Sequence, residues 1–311
     1  MPAAERTIAT LVPSATDLVC ALGGGDRIVG ISHECDHPEV RGRPILTRAN
    51  LATAPEPGQA AADPAALDAD VTATHAAGEP LYLTDRAELD RLAPDVVVAQ
   101  DVCDVCAVTG DQVACEVPAG TEVVRLGAVD LEGLRTDLRL VGDALGDDGP
   151  ARAAEAIAEL DEGLAVVRAR VADRPRPTVL LLEWSDPPFI AGHWVPELLA
   201  TAGGLDVLGA PGAASRRVTW AEIAEADPDV VVFLPCGYGL AAAADEGRTL
   251  LGRPELAGLR AVAEGRVWAV DATRLLSRCT PVAVEAARVL ASILHPAAVG
   301  PPDPTSALPL T

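Results

Sequence analysis

The sequence contains no lysine, so arginine supplies all 24 basic residues against 46 acidic ones. At a formal net charge of -22, the chain would repel the phosphates of nucleic acid and the headgroups of an anionic membrane. A GxxxxGK(S/T) phosphate loop is impossible without lysine, and no GxGxxG or GxSxG motif occurs. We therefore expect no nucleic-acid partner, assign no catalytic residue, and favour a binding protein over an enzyme.

Long apolar runs are missing as well. No stretch approaches the 18 apolar residues of a membrane-spanning helix. The first ten residues include Glu5 and Arg6 and lack the basic start and long apolar core of a secretion signal. Seven cysteines, an odd number, favour thiols, metal ligation or redox chemistry over a disulfide framework. These features predict no membrane segment and a cytoplasmic location.

Aromatic residues make up only 3% of the chain, and its apolar residues are mainly alanine, valine and leucine. Short valine-rich runs alternate with helical segments, which predicts an α/β fold of helices packed on parallel strands. The segment 222–232 echoes 88–98, as expected when one structural plan is used twice. At 311 residues the chain suits two lobes.

The domain prediction follows from the helical character of the middle of the chain. We predict an N-terminal α/β lobe over 1–128, a helical linker over 129–174 and a C-terminal α/β lobe over 175–311. The linker includes a long helix over 151–172, about 33 Å at about 1.5 Å per residue. The proline-rich tail from 296 is predicted to be frayed.

Thiols follow three of the predicted strands: Cys35, the pair Cys103 and Cys106, and Cys236. Because the carboxyl ends of parallel strands meet at one sheet edge, we expect all four sulfurs to line a cleft between the lobes. The spacing of Cys103 and Cys106 would let one turn present both sulfurs to a metal ion or an iron–sulfur cluster. Small loop residues without a ligand would give the same pattern, and both alternatives stay open.

Other polar and aromatic side chains fall at the same strand ends. Trp184 and Trp194 could offer apolar faces to a flat ligand, although ordinary packing explains them equally well. His33 could be a ligand, an acid–base group or a loop-ordering residue. The candidate ligand-binding residues are Pro13, Ser14, His33, Glu34, Gln100, Trp184, His193, Trp194, Gly237 and Tyr238.

Several of these segments resemble the cobalamin-binding members of the helical-backbone (class III) periplasmic binding proteins, the substrate receptors of ABC transporters. The similar segments are 7–30, 32–38, 100–107, 183–184, 191–197 and 235–237, within a similarity covering about residues 6–294. The resemblance implies two Rossmann-like lobes joined by one long helix, with the ligand in the cleft. It also implies docking on an ABC permease through Asp17 and Glu197, which a chain without an export signal would not reach.

Together these observations predict a cytosolic corrinoid-binding protein with cobalamin as its ligand, which His33 or a thiol would approach at cobalt. The alternative is a metal- or iron–sulfur-binding protein or enzyme with Cys35, Cys103, Cys106 and Cys236 as ligands. A ferric-siderophore receptor is a further alternative, because the arginines within 216–217 and 274–278 could converge on an anionic ligand.

Overall fold

The computed structural model describes residues 6–56, 59–102 and 117–311. The chain divides into two compact units. The first is drawn from Met1–Pro57, Ala69–Ala128 and Glu132–Glu159, and the second from Gly58–Asp68, Val129–Leu131 and Leu160–Thr311. The second unit thus takes a short segment from the N-terminal half of the chain. The lobe boundaries drawn from the sequence, at 128 and 174, stay a prediction.

The first unit is built on a parallel sheet. Its described strands are β1 (Ile8–Thr10), β2 (Ile28–Ile31), β3 (Thr47–Ala49), β4 (Tyr82–Thr84), β5 (Val96–Gln100) and β6 (Glu122–Leu126). Four of them form the parallel sheet in the order β2-β1-β5-β6, while β3 and β4 pair antiparallel as a separate ribbon. All five residues of β5 are buried, as expected for a central parallel strand covered on both faces.

Five helices precede the second sheet along the chain within the described residues: α1 (Pro13–Ala21), α2 (Pro64–Ala76), α3 (Arg86–Leu92), α4 (Leu131–Leu145) and α5 (Gly149–Val171). Two 3-10 turns, Gly25–Arg27 and Pro38–Val40, pack against each other. The long helix expected from the sequence is α5, which is 23 residues or about 34 Å long. Its buried Leu160, Leu164, Val167 and Val171 recur at three- and four-residue steps.

The second unit contains a mixed sheet. Its strands are β7 (Thr178–Ser185), β8 (Pro188–Ile190), β9 (Leu205–Asp206), β10 (Arg216–Arg217), β11 (Val230–Phe233), β12 (Val267–Val270) and β13 (Ala307–Pro309). They are ordered β10-β8-β7-β11-β12-β13, with β9 also paired to β7. Strands β7, β11 and β12 are parallel, whereas β8, β10 and β13 are antiparallel to their neighbours. The predicted α/β fold class is confirmed, with antiparallel strands added at both sheet margins.

The helices of this unit are α6 (Val195–Thr201), α7 (Trp220–Ala226), α8 (Leu240–Leu250), α9 (Arg260–Ala263), α10 (Ala272–Leu275), α11 (Ala283–Leu294) and α12 (Pro296–Val299). Helix α7 begins with a capping box between Thr219 and Glu222. No helix within the described ranges is both long and apolar enough to cross a lipid bilayer.

The sequence echo between the two halves corresponds to a repeated local structure. Helices α3 and α7 each end on a left-handed residue, Ala93 with φ 42° and Asp227 with φ 36°. An aspartate directly precedes each following strand and accepts from a threonine: Asp95 Oδ2 from the Thr7 hydroxyl at 2.9 Å, and Asp229 Oδ2 from the Thr178 hydroxyl at 2.8 Å. The same threonine–aspartate hydrogen bond therefore fixes the start of a strand in both sheets.

The C-terminal tail is ordered, so the prediction of a frayed tail is wrong. Strand β13 pairs with β12, and the Leu310 backbone nitrogen donates to the Val267 carbonyl at 2.8 Å. Leu310 is 8% exposed and packs in the core cluster of the second unit. Burial of the Leu310 side chain and pairing of β13 at the sheet edge order the C-terminal tail, although its proline content alone would predict a frayed segment.

Candidate functional site

The carboxyl edge of the first sheet holds the first group of predicted residues. Pro13 is buried at the first position of α1, where its fixed φ suits the helix start, and Ser14 follows half-buried. The buried hydroxyl oxygens of Thr10 and Thr16 lie 2.6 Å apart across this turn. Strand β1 therefore delivers Ser14 to the edge on a short, internally bonded connection.

His33 lies in the turn after β2, half-buried, with its Nδ1 2.8 Å from the Thr47 hydroxyl oxygen. That hydroxyl donates to Ser32 Oγ at 3.2 Å and accepts from the His33 backbone nitrogen at 3.1 Å. The Thr47 hydroxyl has one proton, which it donates to Ser32, so it can only accept from His33 Nδ1. The imidazole proton of His33 is therefore on Nδ1, and Nε2 keeps its lone pair. Burial lowers the pKa of His33, against a smaller raising effect of Glu56, so the ring is poised to accept a hydrogen bond or bind a metal.

Three further predicted residues lie at this edge. Glu34 is half-buried, and its backbone nitrogen donates to Ser32 Oγ at 3.3 Å. Cys35, also half-buried, donates from its backbone nitrogen to the Ser32 carbonyl at 3.1 Å. Gln100 ends β5 and is buried. Ser32 thus organises the turn that carries His33, Glu34 and Cys35.

This turn also contains a motif that our sequence reasoning missed. His33, Glu34 and His37 have the HExxH spacing, which binds zinc when a helix places both imidazoles on one face. Here His33 and Glu34 lie in a turn, and His37 precedes the 3-10 turn Pro38–Val40. The two histidines therefore do not form the helical zinc pair.

Asp137 on α4 is a second residue that the sequence reasoning missed. Its carboxylate accepts from the backbone nitrogens of Gly127 and Ala128 at 3.0 and 3.1 Å, and so fixes the loop after β6. Asp137 is only 3% exposed, and this burial raises its pKa to about 6 despite the two hydrogen bonds. An aspartate between Leu134 and Leu138 on the apolar face of a helix was the available signal.

The carboxyl edge of the second sheet holds an aromatic pair. Trp184, near the end of β7, meets the ring of Tyr238 edge to face at 5.7 Å. The buried Tyr238 hydroxyl accepts from the Ala61 backbone nitrogen at 2.7 Å and is bonded to Glu246. Ser185 donates to the same Glu246 carboxylate. Burial raises the pKa values of both Tyr238 and Glu246, so this network fixes the ring that supports Trp184.

Cys236 and Gly237 follow β11 at this edge. Cys236 is exposed, and its backbone nitrogen donates to the Glu183 carbonyl at 3.2 Å. Gly237 has φ +79°, which favours glycine, and its nitrogen donates to the Ser277 hydroxyl at 3.0 Å. The turn thus presents an accessible thiol directly beside the Trp184 strand.

His193 and Trp194 lie together before α6. Their rings are 5.9 Å apart, and both residues are half-buried. His193 has a left-handed backbone, φ 54°, held by donation from its nitrogen to the Ala213 carbonyl at 2.6 Å. Burial lowers the pKa of His193. The indole Nε1 of Trp194 is buried and has no acceptor among the described residues, so it is a donor available to a ligand.

Glu197, a predicted docking residue, has a contact inside the second unit. Its Oε2 accepts from the Leu131 backbone nitrogen at 2.9 Å. Leu131 begins α4, so the carboxylate pairs one of the unbonded N–H groups at the start of that helix. The docking role of Asp17 and Glu197 stays a prediction.

The four predicted metal ligands are distributed along the chain. Cys103 and Cys106 lie outside the described residues. Cys35 belongs to the first unit and Cys236 to the second. The shared thiolate site therefore stays a prediction, as does the assignment of the other candidate residues to a ligand.

Both sheets place polar and aromatic side chains at the carboxyl ends of parallel strands, the arrangement of an α/β ligand-binding protein. A family model described as "Periplasmic binding protein" matches residues 8–273. The chain therefore belongs to the periplasmic binding protein family, the substrate-binding proteins of ABC-type transporters, and the resemblance seen in the sequence is confirmed.

Solved structures show the same fold at low sequence identity. The periplasmic heme-binding protein RhuT from Roseiflexus sp. RS-1 is 21% identical with a TM-score of 0.69, covering 94% of this chain and 99% of that one. A periplasmic heme-binding protein from Pseudomonas aeruginosa is 23% identical with a TM-score of 0.67, covering 94% of each chain. The periplasmic vitamin B12-binding protein BtuF of Vibrio cholerae is 18% identical with a TM-score of 0.65, covering 93% and 96%. No curated protein matches in sequence.

Proposed function

We propose that this protein binds a flat tetrapyrrole-type ligand, with cobalamin as the first candidate, through side chains at the carboxyl edges of its sheets. The observation that carries the proposal is the buried Trp194 indole N–H, which has no acceptor among the described residues and lies beside the His193 ring. Relatives of the same fold support the ligand class, since one is named for vitamin B12 and two for heme.

The edge side chains suit a flat, largely apolar ligand with a central metal. Trp184, His193 and Trp194 are half-buried, so each ring keeps part of its surface for contact. Ligand sites of this kind combine apolar faces with a few placed polar groups. The Trp194 N–H of the second unit would donate to an amide or carboxylate at the rim of the macrocycle. In the first unit, His33 Nε2 has a lone pair of the kind that cobalt binds.

The described arginines argue against the siderophore alternative. Arg216 pairs with Glu222 at 3.3 Å, and Arg217 pairs with Asp68 at 2.7 Å. Arg274 pairs with Glu285 at 2.7 Å. Cations already neutralised by carboxylates offer little to a ferric catecholate, which requires converging unpaired positive charge.

The proposal is tested by anaerobic purification, a visible spectrum and calorimetric titration with cobalamin. We expect a corrinoid spectrum or saturable binding, and about tenfold weaker binding by Trp194→Phe, which removes the donor but keeps an apolar ring. Trp220→Phe is the matched control, because it makes the same change at an indole that stacks on Arg253 at 4.6 Å and is not a candidate ligand-binding residue. We expect the control to bind cobalamin as tightly as the unmodified chain does.

Two outcomes would contradict the cobalamin proposal. No corrinoid spectrum and no saturable binding would exclude the ligand directly. Stoichiometric iron with a sulfur-to-iron spectrum, lost in a Cys103→Ala, Cys106→Ala double variant, would instead support the thiolate alternative.

We also propose a cytoplasmic location. Cys20 and Cys236 are free thiols, and unoxidised cysteines are typical of a reducing compartment. Fractionation of the producing cells should recover the protein with cytoplasmic marker enzymes. Recovery from the membrane or a cell-envelope extract would contradict this proposal.

A further inference from the structure

We propose that Cys20, His37 and Glu39 form a binding site for a divalent metal ion of the zinc class in the first unit. The Cys20 sulfur, an imidazole nitrogen of His37 and a carboxylate oxygen of Glu39 all lie within 4.8 Å of one another. Zinc bonds of about 2.0 to 2.3 Å place tetrahedral ligands about 3.3 to 3.8 Å apart. Side-chain adjustments of about 1 Å would therefore close these three atoms around one ion.

Short local elements bring the three ligands together. Cys20 lies in the last turn of α1, while His37 precedes and Glu39 lies within the 3-10 turn Pro38–Val40. Helix α1 runs away from the carboxyl edge, so Cys20 is about 9 Å beyond Ser14 along the helix axis, at about 1.5 Å per residue. The proposed metal site is therefore separate from the edge where Ser14 lies.

Gly25 leaves the space between two of the ligands open. A Cβ at this position would lie 2.5 Å from the Glu39 Oε2 atom and 3.2 Å from the Cys20 sulfur. The backbone of Gly25 thus passes close to both atoms, and any side chain would enter the volume that they face. The thiol and the carboxylate therefore face the same small space beside the Gly25 backbone.

The ligand set and its charge favour a thiophilic divalent cation. Thiolate, imidazole and carboxylate are all zinc ligands, and three protein ligands leave a fourth position for water or for a further thiolate. A bound cation would hold Cys20 as the thiolate, because metal coordination displaces the thiol proton.

His37 and Glu39 can reach an ion without breaking a strong contact. His37 Nδ1 accepts from the Glu39 backbone nitrogen at 3.4 Å, which is long for such a bond. His37 is half-buried and Glu39 is exposed, so the site has a solvent path for metal entry. Reorienting the His37 imidazole toward an ion would therefore break only this weak hydrogen bond.

The test uses the full chain with Cys103→Ala and Cys106→Ala as background, titrated anaerobically with Co²⁺ as the spectroscopic probe. We expect one equivalent to bind with sulfur-to-cobalt charge-transfer absorption, and Cys20→Ser to abolish that absorption. Glu39→Gln and His37→Ala should each weaken Co²⁺ binding at least about 100-fold. Glu79→Gln and His75→Ala, which change exposed residues of the same types, should leave it unchanged.

Gly25→Ala keeps every ligand but places a methyl group against the Glu39 carboxylate, and it should also weaken Co²⁺ binding. Circular dichroism of each variant reports whether it folds. Undiminished charge-transfer absorption in a folded Cys20→Ser variant would overturn the proposal. If Cys20→Ser does not fold, unchanged Co²⁺ affinity in both Gly25→Ala and Glu39→Gln would overturn it, as would the absence of Co²⁺ binding in the background chain.

Discussion

Replacing Gly192 with alanine should destabilise the second unit by about 3 kcal/mol or more and abolish the proposed cobalamin binding with it. A Cβ at Gly192 would lie 2.5 Å from the Ala213 carbonyl oxygen and closer still to the Ser215 backbone nitrogen. Both atoms are backbone, so the clash cannot be relieved by rotating a side chain. The segment that must move also holds His193, whose nitrogen donates to Ala213 and whose carbonyl accepts from Gly212 at 2.9 Å.

Gly258→Ala is the matched control for Gly192→Ala. Apart from its two chain neighbours, no described residue has a heavy atom within 4 Å of the Cβ it would add, and its φ is outside the left-handed region. We expect its free energy of unfolding to stay within about 0.5 kcal/mol of that of the unmodified chain. Urea unfolding of the two variants measures the difference, and equal midpoints would show that the backbone approach at Gly192 does not constrain the loop.

The central sheets could be predicted from sequence because their signals are local. In each half, a helix ends two residues before a proline, an aspartate follows the proline, and three valines begin the buried strand. The left-handed caps at Ala93 and Asp227 and the threonine contacts of Asp95 and Asp229 then repeat as well. This helix-to-strand pattern lies within about ten residues and specifies its local structure. Its recurrence in the sequence therefore predicted that the same local fold recurs in both halves.

The antiparallel strands could not be predicted in this way. Strand β10 is the dipeptide Arg216–Arg217, and β13 lies in a proline-rich tail. Neither strand has an alternating apolar pattern. Strand β10 is defined by its pairing with β8, and β13 by its pairing with β12. Leu310 is buried by contacts with residues far away in sequence, which no local window contains.

The candidate site shows the same division. The positions of His33, Gln100 and Cys236 at the sheet edges could be predicted from the ends of the strands, because parallel strands present their carboxyl ends together. The partners that fix these edges come from distant positions, as with Ala61, whose backbone nitrogen donates to the Tyr238 hydroxyl. The proximity of Cys20 to Glu39 could not be predicted, since it depends on the chain returning after β2.

Asp137 should make the chain less stable as the pH rises from about 4 to 7. Its pKa is about 6 in the folded chain against 3.8 for the free group, because the carboxyl is buried. Between these values the folded chain holds a proton that the unfolded chain has released, so acid favours folding. This contribution is complete below about pH 4 and is lost as the pH rises through about 6. A difference of about 2 pKa units corresponds to roughly 3 kcal/mol.

Asp137→Asn removes this titration and so isolates the contribution of one carboxyl group. The free energy of unfolding of the unmodified chain, minus that of the variant, should fall by roughly 3 kcal/mol between pH 4 and pH 7 in urea titrations. Asp143→Asn removes an exposed carboxyl from the same helix and controls for the lost charge. If the difference for Asp137→Asn is flat across this range, the carboxylate ionises in the folded chain as readily as in the unfolded one. The two N–H bonds from Gly127 and Ala128 would then fully offset its burial.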